Sequence, residues 1–198
     1  TAYRIDILAR TGIVLLLPLG LHMGKIYGFV PMLEGSGIWI MWAIFAAWLG
    51  ITWTAFIRRE TEIGIKVTRF EEQLRYPLIA GIVIVALMAF NGAGPITAVE
   101  GTYWYPTKMI LYSFTLVIGL FLRLVMRRWT TRFRKLALGP DAAEEAALSR
   151  EVGQARYAAY VYWITISGIC FLGASNRVRA LDHIGVDVPH MRVTWMPR

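Results

Sequence analysis

The chain has 198 residues, of which 57% are apolar and only 17% are charged. Soluble domains carry about a quarter charged residues, so this composition disfavours a soluble enzyme and excludes a disordered chain. The single cysteine excludes a disulfide framework and any CxxC motif. The formal net charge is +8, yet the basic residues stand in blocks between apolar runs. That arrangement is typical of a membrane protein with basic loops rather than of a nucleic-acid-binding protein.

Five apolar segments approach the roughly 20 residues that a helix needs to cross the hydrocarbon core. They cover residues 11–33, 35–57, 76–99, 109–126 and 157–175. The first is expected to be a retained helix, loosened near Pro18, rather than a cleaved signal peptide. The sequence therefore predicts an all-α, polytopic integral membrane helical bundle with about five transmembrane helices. Residues 1–175 would form this single domain, and residues 176–198 would form an extramembrane tail.

The distribution of Lys and Arg predicts the orientation of the bundle. Two connections, 58–75 and 127–156, carry twelve of these residues, whereas the alternate connections 31–37 and 98–107 carry none. By the positive-inside rule the N-terminus and both basic connections are cytoplasmic, which places the tail outside. The compact loops and the absence of outer glycosylation sequons favour a bacterial inner membrane.

Two residues near the predicted cytoplasmic side have expected local roles. Arg123, towards the end of the fourth segment, is expected to snorkel to the headgroups. Pro140 and Asp141, followed by an alanine-rich run, predict a capped helix within the second basic connection.

Ionisable side chains inside membrane segments require a partner or a role, and several lie near the predicted outer face. His22 and Lys25 are three residues apart and share one helix face, and Lys108 opens the fourth segment. Alternatives remain open, because the lysines could snorkel to headgroups, His22 could join two helices, and Asn91 could serve packing and a turn. The residues expected at one outer depth are His22, Lys25, Glu34, Asn91, Glu100 and Lys108.

Two kinds of cofactor site are conceivable from these residues. A b-type haem between helices would take His22 as one axial ligand and Lys108, a methionine or an open position as the other. In the tail, His183, His190 and Met191 offer imidazole and thioether groups suited to copper, although a tail that packs against a partner is an alternative. No carboxylate pair, His-rich cluster or HExxH motif supports a di-metal or zinc enzyme, and no phosphate-binding glycine loop precedes a helix.

The run Trp104-Tyr-Pro-Thr-Lys108-Met-Ile-Leu places an aromatic residue and then a lysine at the start of an apolar helix that ends in a basic cluster. This segment resembles one in the copper-resistance D (CopD) family and in the HemJ type of protoporphyrinogen oxidase. The resemblance covers Glu71–Trp129 and the first helix, and it implies that His22 and Lys108 correspond to positions associated with haem binding in the HemJ type. The chain departs from that pattern in the residues after His22 and in its longer second basic connection.

Three functions are compatible with the sequence. The first is handling of a metal or a b-type haem near the outer face, in electron transfer or in copper or haem homeostasis. The second is a non-catalytic subunit of a larger membrane complex, and the third is a small-molecule or ion permease entered through the outer polar residues. No activated nucleophile or matched acid–base pair is visible, so the chain is not expected to be an enzyme by itself. The expected partners are the lipid bilayer and other membrane subunits, and nucleic acid is not expected.

Overall fold

The computed structural model describes residues 2–96 and 102–175, with side chains from residue 7 onward. This described part contains five α-helices, one short 3-10 helix and no strand. All five α-helices are long and apolar enough to cross a membrane, which confirms the predicted all-α fold and its five membrane helices. The helices are α1 Ala2–Ile26, α2 Gly37–Ile57, α3 Glu62–Phe90, α4 Trp104–Leu136 and α5 Ala142–Ser175, and the 3-10 helix is Pro31–Leu33.

Three helices extend well beyond the apolar segments. α3 begins at Glu62 rather than at residue 76, α4 ends at Leu136, and α5 begins at Ala142 rather than at residue 157. At 1.5 Å per residue, α4 and α5 are each about 50 Å long, whereas the hydrocarbon core is about 30 Å thick. Most of both basic connections is therefore helix that continues past the apolar span.

Polar caps begin the two helices that follow the basic turns. The Asp141 carboxylate accepts hydrogen bonds from the backbone N–H of Ala143 at 2.9 Å and of Glu144 at 3.3 Å. The Thr61 hydroxyl accepts one from the N–H of Gly64 at 3.1 Å. Each cap satisfies N–H groups that the first helical turn leaves unpaired. The predicted cap at Asp141 is confirmed, but it starts the long α5 rather than a separate helix.

Glycines turn the chain at the opposite end of the bundle. α1 keeps Pro18 inside the helix and ends at Ile26, earlier than the predicted residue 33. The chain leaves α1 through Gly28 with φ +75° and leaves α3 through Gly92 with φ +68°. Residues other than glycine rarely adopt these left-handed conformations, so both turns depend on their glycine.

The helices pack in chain order, each against the next, and α4 is the most enclosed of the five. α4 also reaches α1 through two tyrosines. The Tyr105 hydroxyl donates to the Gly20 carbonyl at 3.2 Å, and the Tyr112 hydroxyl donates to the Ile13 carbonyl at 2.9 Å. α4 therefore lies at the centre, with α1, α3 and α5 around it.

The two ends of the bundle differ in charge. The end that holds the start of α1, the α2–α3 turn and the α4–α5 turn is called the basic end, because the arginine-rich helix extensions lie there. The end that holds the 3-10 helix and the start of α4 is called the far end. Lys108 lies at the far end, and Arg123 lies fifteen residues further along α4, which corresponds to about 22 Å.

α5 packs against α4 and leaves a broad apolar and aromatic surface exposed. An apolar helix surface of this extent is expected in lipid or against another membrane helix. The exposed residues of α5 include Tyr157, Tyr160, Trp163, Ile164 and Phe171.

The packing of α1 against α4 depends on Gly24. A Cβ at this position would overlap the ring of Tyr105, whereas a Cβ at Gly12 meets no atom within 4 Å. We expect Gly24→Ala to lower the free energy of unfolding by about 1–3 kcal/mol, because a buried aromatic ring must move. Gly12→Ala is the control and should be neutral or slightly stabilising. Thermal unfolding in detergent measures both variants, and equal midpoints would contradict this packing.

Candidate functional site

A cavity of about 210 Å³ lies between α1, α4 and α5 at the far end, and it is called the Lys108 cavity. Lys108 is the one charged side chain among the described residues that line it. The walls are otherwise mainly aliphatic and thioether groups, with two tyrosines. The apolar lining residues include Leu16, Leu19 and Met23 of α1, Met109 of α4 and Ile169 of α5.

The Lys108 ammonium is held between an aromatic ring and a glycine. Its Nζ lies 5.7 Å from the centroid of the Trp104 ring. A Cβ on Gly173 of α5 would lie only 2.9 Å from Nζ, so the glycine leaves the space that the ammonium occupies. Within residues 2–96 and 102–175, no carboxylate forms an ion pair with Lys108. A cation in an apolar site is stabilised by an anion, because desolvation is otherwise uncompensated.

His22 also lies on α1, but it contacts α2. The indole N–H of Trp42 donates to His22 Nδ1 at 3.1 Å, and the two rings pack edge to face with 6.0 Å between centroids. An indole nitrogen only donates, so the neutral imidazole accepts at Nδ1 and carries its proton on Nε2. This is the helix–helix hydrogen bond that the sequence left open as one role of His22.

The arrangement of His22 and Lys108 does not fit a haem held between them. A histidine ligand offers one ring nitrogen to the metal and donates an N–H from the other, whereas Trp42 requires His22 Nδ1 to accept. Lys108 contacts a different set of neighbours, in the cavity between α1, α4 and α5. That cavity is also smaller than the roughly 300–1,000 Å³ of pockets that enclose drug-sized ligands. The haem itself stays a prediction.

The other outer polar residues are not gathered around Lys108. Lys25 lies in the last turn of α1, and Glu34 is exposed at the end of the 3-10 helix. Asn91 is exposed at the end of α3, where its side-chain amide donates to the Leu87 carbonyl at 2.9 Å. None of these three lines the Lys108 cavity. Among the described members of the expected outer constellation, only Lys108 lines this cavity.

Several predicted site residues lie outside the described residues. They are Glu100 and the tail residues His183, His190 and Met191. The described ranges hold no group of three or more His, Cys, Asp or Glu side chains that could bind a metal ion. The copper site in the tail stays a prediction.

The basic end contains a buried ion cluster that was not predicted from the sequence. Arg75 Nη2 lies 2.6 Å from a Glu71 carboxylate oxygen, and Glu71 is fully buried. Arg123 Nη1 lies 3.1 Å from Glu72 and 3.5 Å from Glu71, and Arg127 also pairs with Glu72. Arg123 is only 8% exposed, so the expectation that it snorkels to the headgroups is wrong. These five residues, from α3 and α4, are called the ion cluster.

Two features of the sequence indicate that charged residues of α3 lie within the membrane helix. Glu71 and Arg75 are four residues apart and therefore share one helix face. The uncharged part of α3 runs only from residue 76 to Phe90, which is fifteen residues and too few for the roughly 20 of a full crossing. A crossing that ends at Phe90 must include Arg75 and reach back to about Glu71. The charges therefore belong to the membrane helix rather than to a loop.

A second cavity of about 190 Å³ follows the Lys108 cavity towards the basic end. Arg10, Arg75 and Arg123 line it together with Thr115 and Tyr162, and it is called the arginine cavity. Its α1 and α4 walls begin about one helical turn beyond the Lys108 cavity. The two cavities thus lie one after the other along the interface of α1, α4 and α5, and this interface is called the crevice.

Tyr112 separates the two cavities. Its ring lines the Lys108 cavity, and its hydroxyl donates to the carbonyl of Ile13, a residue that lines the arginine cavity. Tyr112 is 4% exposed, so this hydrogen bond is shielded from water. Among the described residues, no carboxylate lines either cavity. The crevice therefore presents Lys108 at one end and arginines, two of which belong to the ion cluster, at the other, with Tyr112 between them.

Comparisons with protein-family models, with curated proteins and with solved structures find no match to this chain. The resemblance to CopD and HemJ-type proteins accordingly stays a prediction.

Proposed function

We propose that this chain is an integral membrane permease for a small anion with an apolar body, such as a short alkyl sulfonate or carboxylate. The observation that carries the proposal is Lys108, a cation without a described carboxylate partner in a small apolar cavity. The ammonium would stabilise the charged group of the substrate, and the leucine and methionine walls would cover its apolar part. A cavity of about 210 Å³ suits a ligand smaller than a typical drug.

The second half of the crevice supports passage rather than binding alone. An anion that leaves Lys108 towards the basic end must displace the Tyr112 hydroxyl from the Ile13 carbonyl. Beyond this barrier, the guanidiniums of Arg75 and Arg123 line the next cavity. Under the positive-inside rule we place this basic end in the cytoplasm and Lys108 near the outer face, in a bacterial inner membrane.

Uptake into proteoliposomes tests the proposal. Butanesulfonate is a suitable probe because a sulfonate stays ionised and does not cross a bilayer as its neutral acid. We expect saturable uptake that requires the protein, and no uptake of the butyltrimethylammonium cation, which has a similar tail and the opposite charge. Equal rates for both ions, or a butanesulfonate rate no higher than in protein-free liposomes, would contradict a permease.

Tyr112 tests the path through the crevice. Tyr112→Phe keeps the ring but removes the hydrogen bond to Ile13. A net hydrogen bond contributes about 1 kcal/mol, so the variant should raise the initial rate of butanesulfonate uptake roughly fivefold. Tyr160→Phe, at an exposed position of α5, is the matched control and should behave like the wild type. An unchanged rate in Tyr112→Phe would place the path elsewhere.

A haem-binding function predicts a different outcome for the same preparation. It would give a Soret absorption band in the purified protein, and that band would disappear in His22→Ala. A copper function would give stoichiometric metal that falls when His183 and His190 are replaced. Either result would replace the permease proposal, whereas a colourless, metal-free protein that transports butanesulfonate would support it.

The exposed face of α5 favours one second candidate, a subunit of a larger membrane complex. Tyr160, Trp163 and Phe171 lie on the exposed surface of a helix that packs against α4. Aromatic and apolar side chains of this kind could contact lipid or a helix of another subunit. Co-purification of a fixed set of partner bands in mild detergent, together with no butanesulfonate uptake, would favour this candidate over the permease.

A further inference from the structure

One side of α5 packs against α4, and the opposite side is exposed. The buried residues of α5 are Ala155, Thr165 and Ile169, and Tyr162 and Ile169 line the crevice from the same side. Along the opposite side, residues separated by three, four or seven positions are exposed or half-buried, and this spacing places them on one helix face. This surface, called the α5 face, consists of Ala146, Gly153, Tyr160, Ile164, Ser167 and Phe171.

Two opposite charges flank the α5 face where α5 extends beyond the apolar span. Glu145 and Arg150 are both exposed, and neither forms an ion pair within the described residues. They are five residues apart, so they lie about 140° apart around the helix axis, one on each side of the α5 face. In contrast, Glu144 and Glu151 pair with Arg132 of α4. The acids that face α4 are therefore paired, whereas the two charges beside the α5 face are not.

The two flanking charges are complementary to themselves in a second copy of the chain. Two copies that enter the membrane in the same direction present their α5 helices parallel to each other. In a parallel pair related by a twofold axis, each flank of one helix faces the other flank of its partner, and charges at flanking positions pair between the helices. Glu145 of each copy then faces Arg150 of the other, so the same ion pair forms twice.

Within the apolar span, the α5 face presents a hydroxyl without an acceptor. The Thr165 and Ser175 hydroxyls on the same helix each donate to the carbonyl four residues earlier, at 2.8 and 2.7 Å. The Ser167 hydroxyl forms no hydrogen bond within the described residues, although it is exposed near the middle of the segment 157–175. In hydrocarbon, a hydroxyl gains from a hydrogen bond across a helix–helix contact, and small residues let two helices approach closely. Ser167 therefore suits the centre of a helix pair.

We propose that the α5 face is the interface of a parallel homodimer, in which two copies of this chain pack through α5. Lipid would pair neither Glu145 nor Arg150, and a different subunit would not require two opposite charges placed symmetrically about the face of one helix. The crevice lies on the other side of α5, so each copy keeps its own Lys108 cavity. This inference does not depend on the permease proposal.

Charge reversal tests whether the partner is a second copy. Glu145→Arg and Arg150→Glu each replace two attractive contacts of the dimer by two repulsive ones, whereas the double variant restores both ion pairs with their signs exchanged. Glu62→Arg is the matched control, because Glu62 is also an exposed glutamate in the first turn of a helix at the basic end. Sedimentation equilibrium of the full chain in density-matched detergent measures the dissociation constant of the dimer, and the thermal unfolding midpoint checks that each variant is folded.

We expect a dimer in the wild type and in Glu62→Arg, about tenfold weaker dimerisation in each single reversal, and recovery to within about threefold in the double variant. A monomeric wild type would overturn the proposal and leave the α5 face to lipid or to a different subunit. Single reversals that dimerise like the wild type, or a double variant that is no better than the single ones, would also overturn it.

A cross-link tests the contact within the membrane independently of the charges. Ser167→Cys is made together with Cys170→Ser, which removes the one native cysteine. The matched control is Phe114→Cys in the same background. Phe114 is exposed on α4 at a similar depth, since Lys108 lies next to Gly173 and the two helices run antiparallel. Oxidation in proteoliposomes should link two chains through residue 167 and not through residue 114. Equal linkage at both positions, or none at residue 167, would contradict the proposed interface.

Discussion

Replacing Glu71 by glutamine is expected to lower the free energy of unfolding by about 3–5 kcal/mol, because it removes one partner of a buried ion pair. Glu71 is fully buried and holds Arg75 at 2.6 Å, and Arg123 lies 3.5 Å from its second carboxylate oxygen. Glutamine keeps the shape of the side chain but leaves Arg75 buried without its counter-charge. Unfolding in detergent, followed by circular dichroism, measures the effect.

Two comparison variants separate the effect of the buried charge on the free energy of unfolding from the effect of side-chain packing. Glu60→Gln removes a surface carboxylate whose pair with Arg59 is exposed, so its effect should stay within about 1 kcal/mol. The double variant Glu71→Leu with Arg75→Leu replaces the pair by apolar groups and should be more stable than Glu71→Gln alone. If Glu71→Gln were as stable as Glu60→Gln, the ion cluster would not be a structural element of the bundle.

Lys108→Met is expected to reduce butanesulfonate uptake at least about tenfold, because the anion then enters an apolar cavity with no compensating charge. Methionine has a similar length and suits the thioether and aliphatic walls, so the fold should be retained. Lys108→Arg keeps the charge and should restore part of the uptake. The measurement is the initial uptake rate in proteoliposomes at equal protein content.

Lys25→Met is the matched control for this variant. It removes the same charge at the same end of the bundle, but Lys25 lines neither cavity. We expect uptake within about twofold of the wild type, because the half-buried Lys25 would not contact an anion in either cavity. Equal losses in Lys25→Met and Lys108→Met would indicate a general surface-charge effect, and the Lys108 cavity would then not be the entry site.

The helices could be predicted where a charge-free segment is long enough to cross the membrane. Residues 35–57 carry no charge, and the observed α2 runs from Gly37 to Ile57. The start of α3 is harder to predict from the sequence, because its first turns contain glutamates and arginines, which are typical of a loop between membrane segments. Those charges find partners on α4, since Arg123 pairs with Glu72, which is 51 positions away in the chain. Local composition carries no information about such a pairing.

The candidate site was predictable in part. Lys108 stands out because a lysine at the start of an apolar segment requires a partner or a role. Its neighbours on α1 and α5 could not be predicted, because they depend on how non-adjacent helices pack. His22 illustrates the same limit, since its partner Trp42 looks like an ordinary membrane anchor in the sequence, yet it donates a hydrogen bond to the imidazole. The two titratable groups of the predicted haem pair therefore contact different helices.

The most direct test of the central claim is a calorimetric titration of butanesulfonate into the detergent-solubilised wild type and into Lys108→Met. We expect one saturable site in the wild type, at least about tenfold weaker binding in Lys108→Met, and unchanged binding in Lys25→Met. Equal binding by the wild type and Lys108→Met, or no binding by either, would show that the Lys108 cavity is not an anion site.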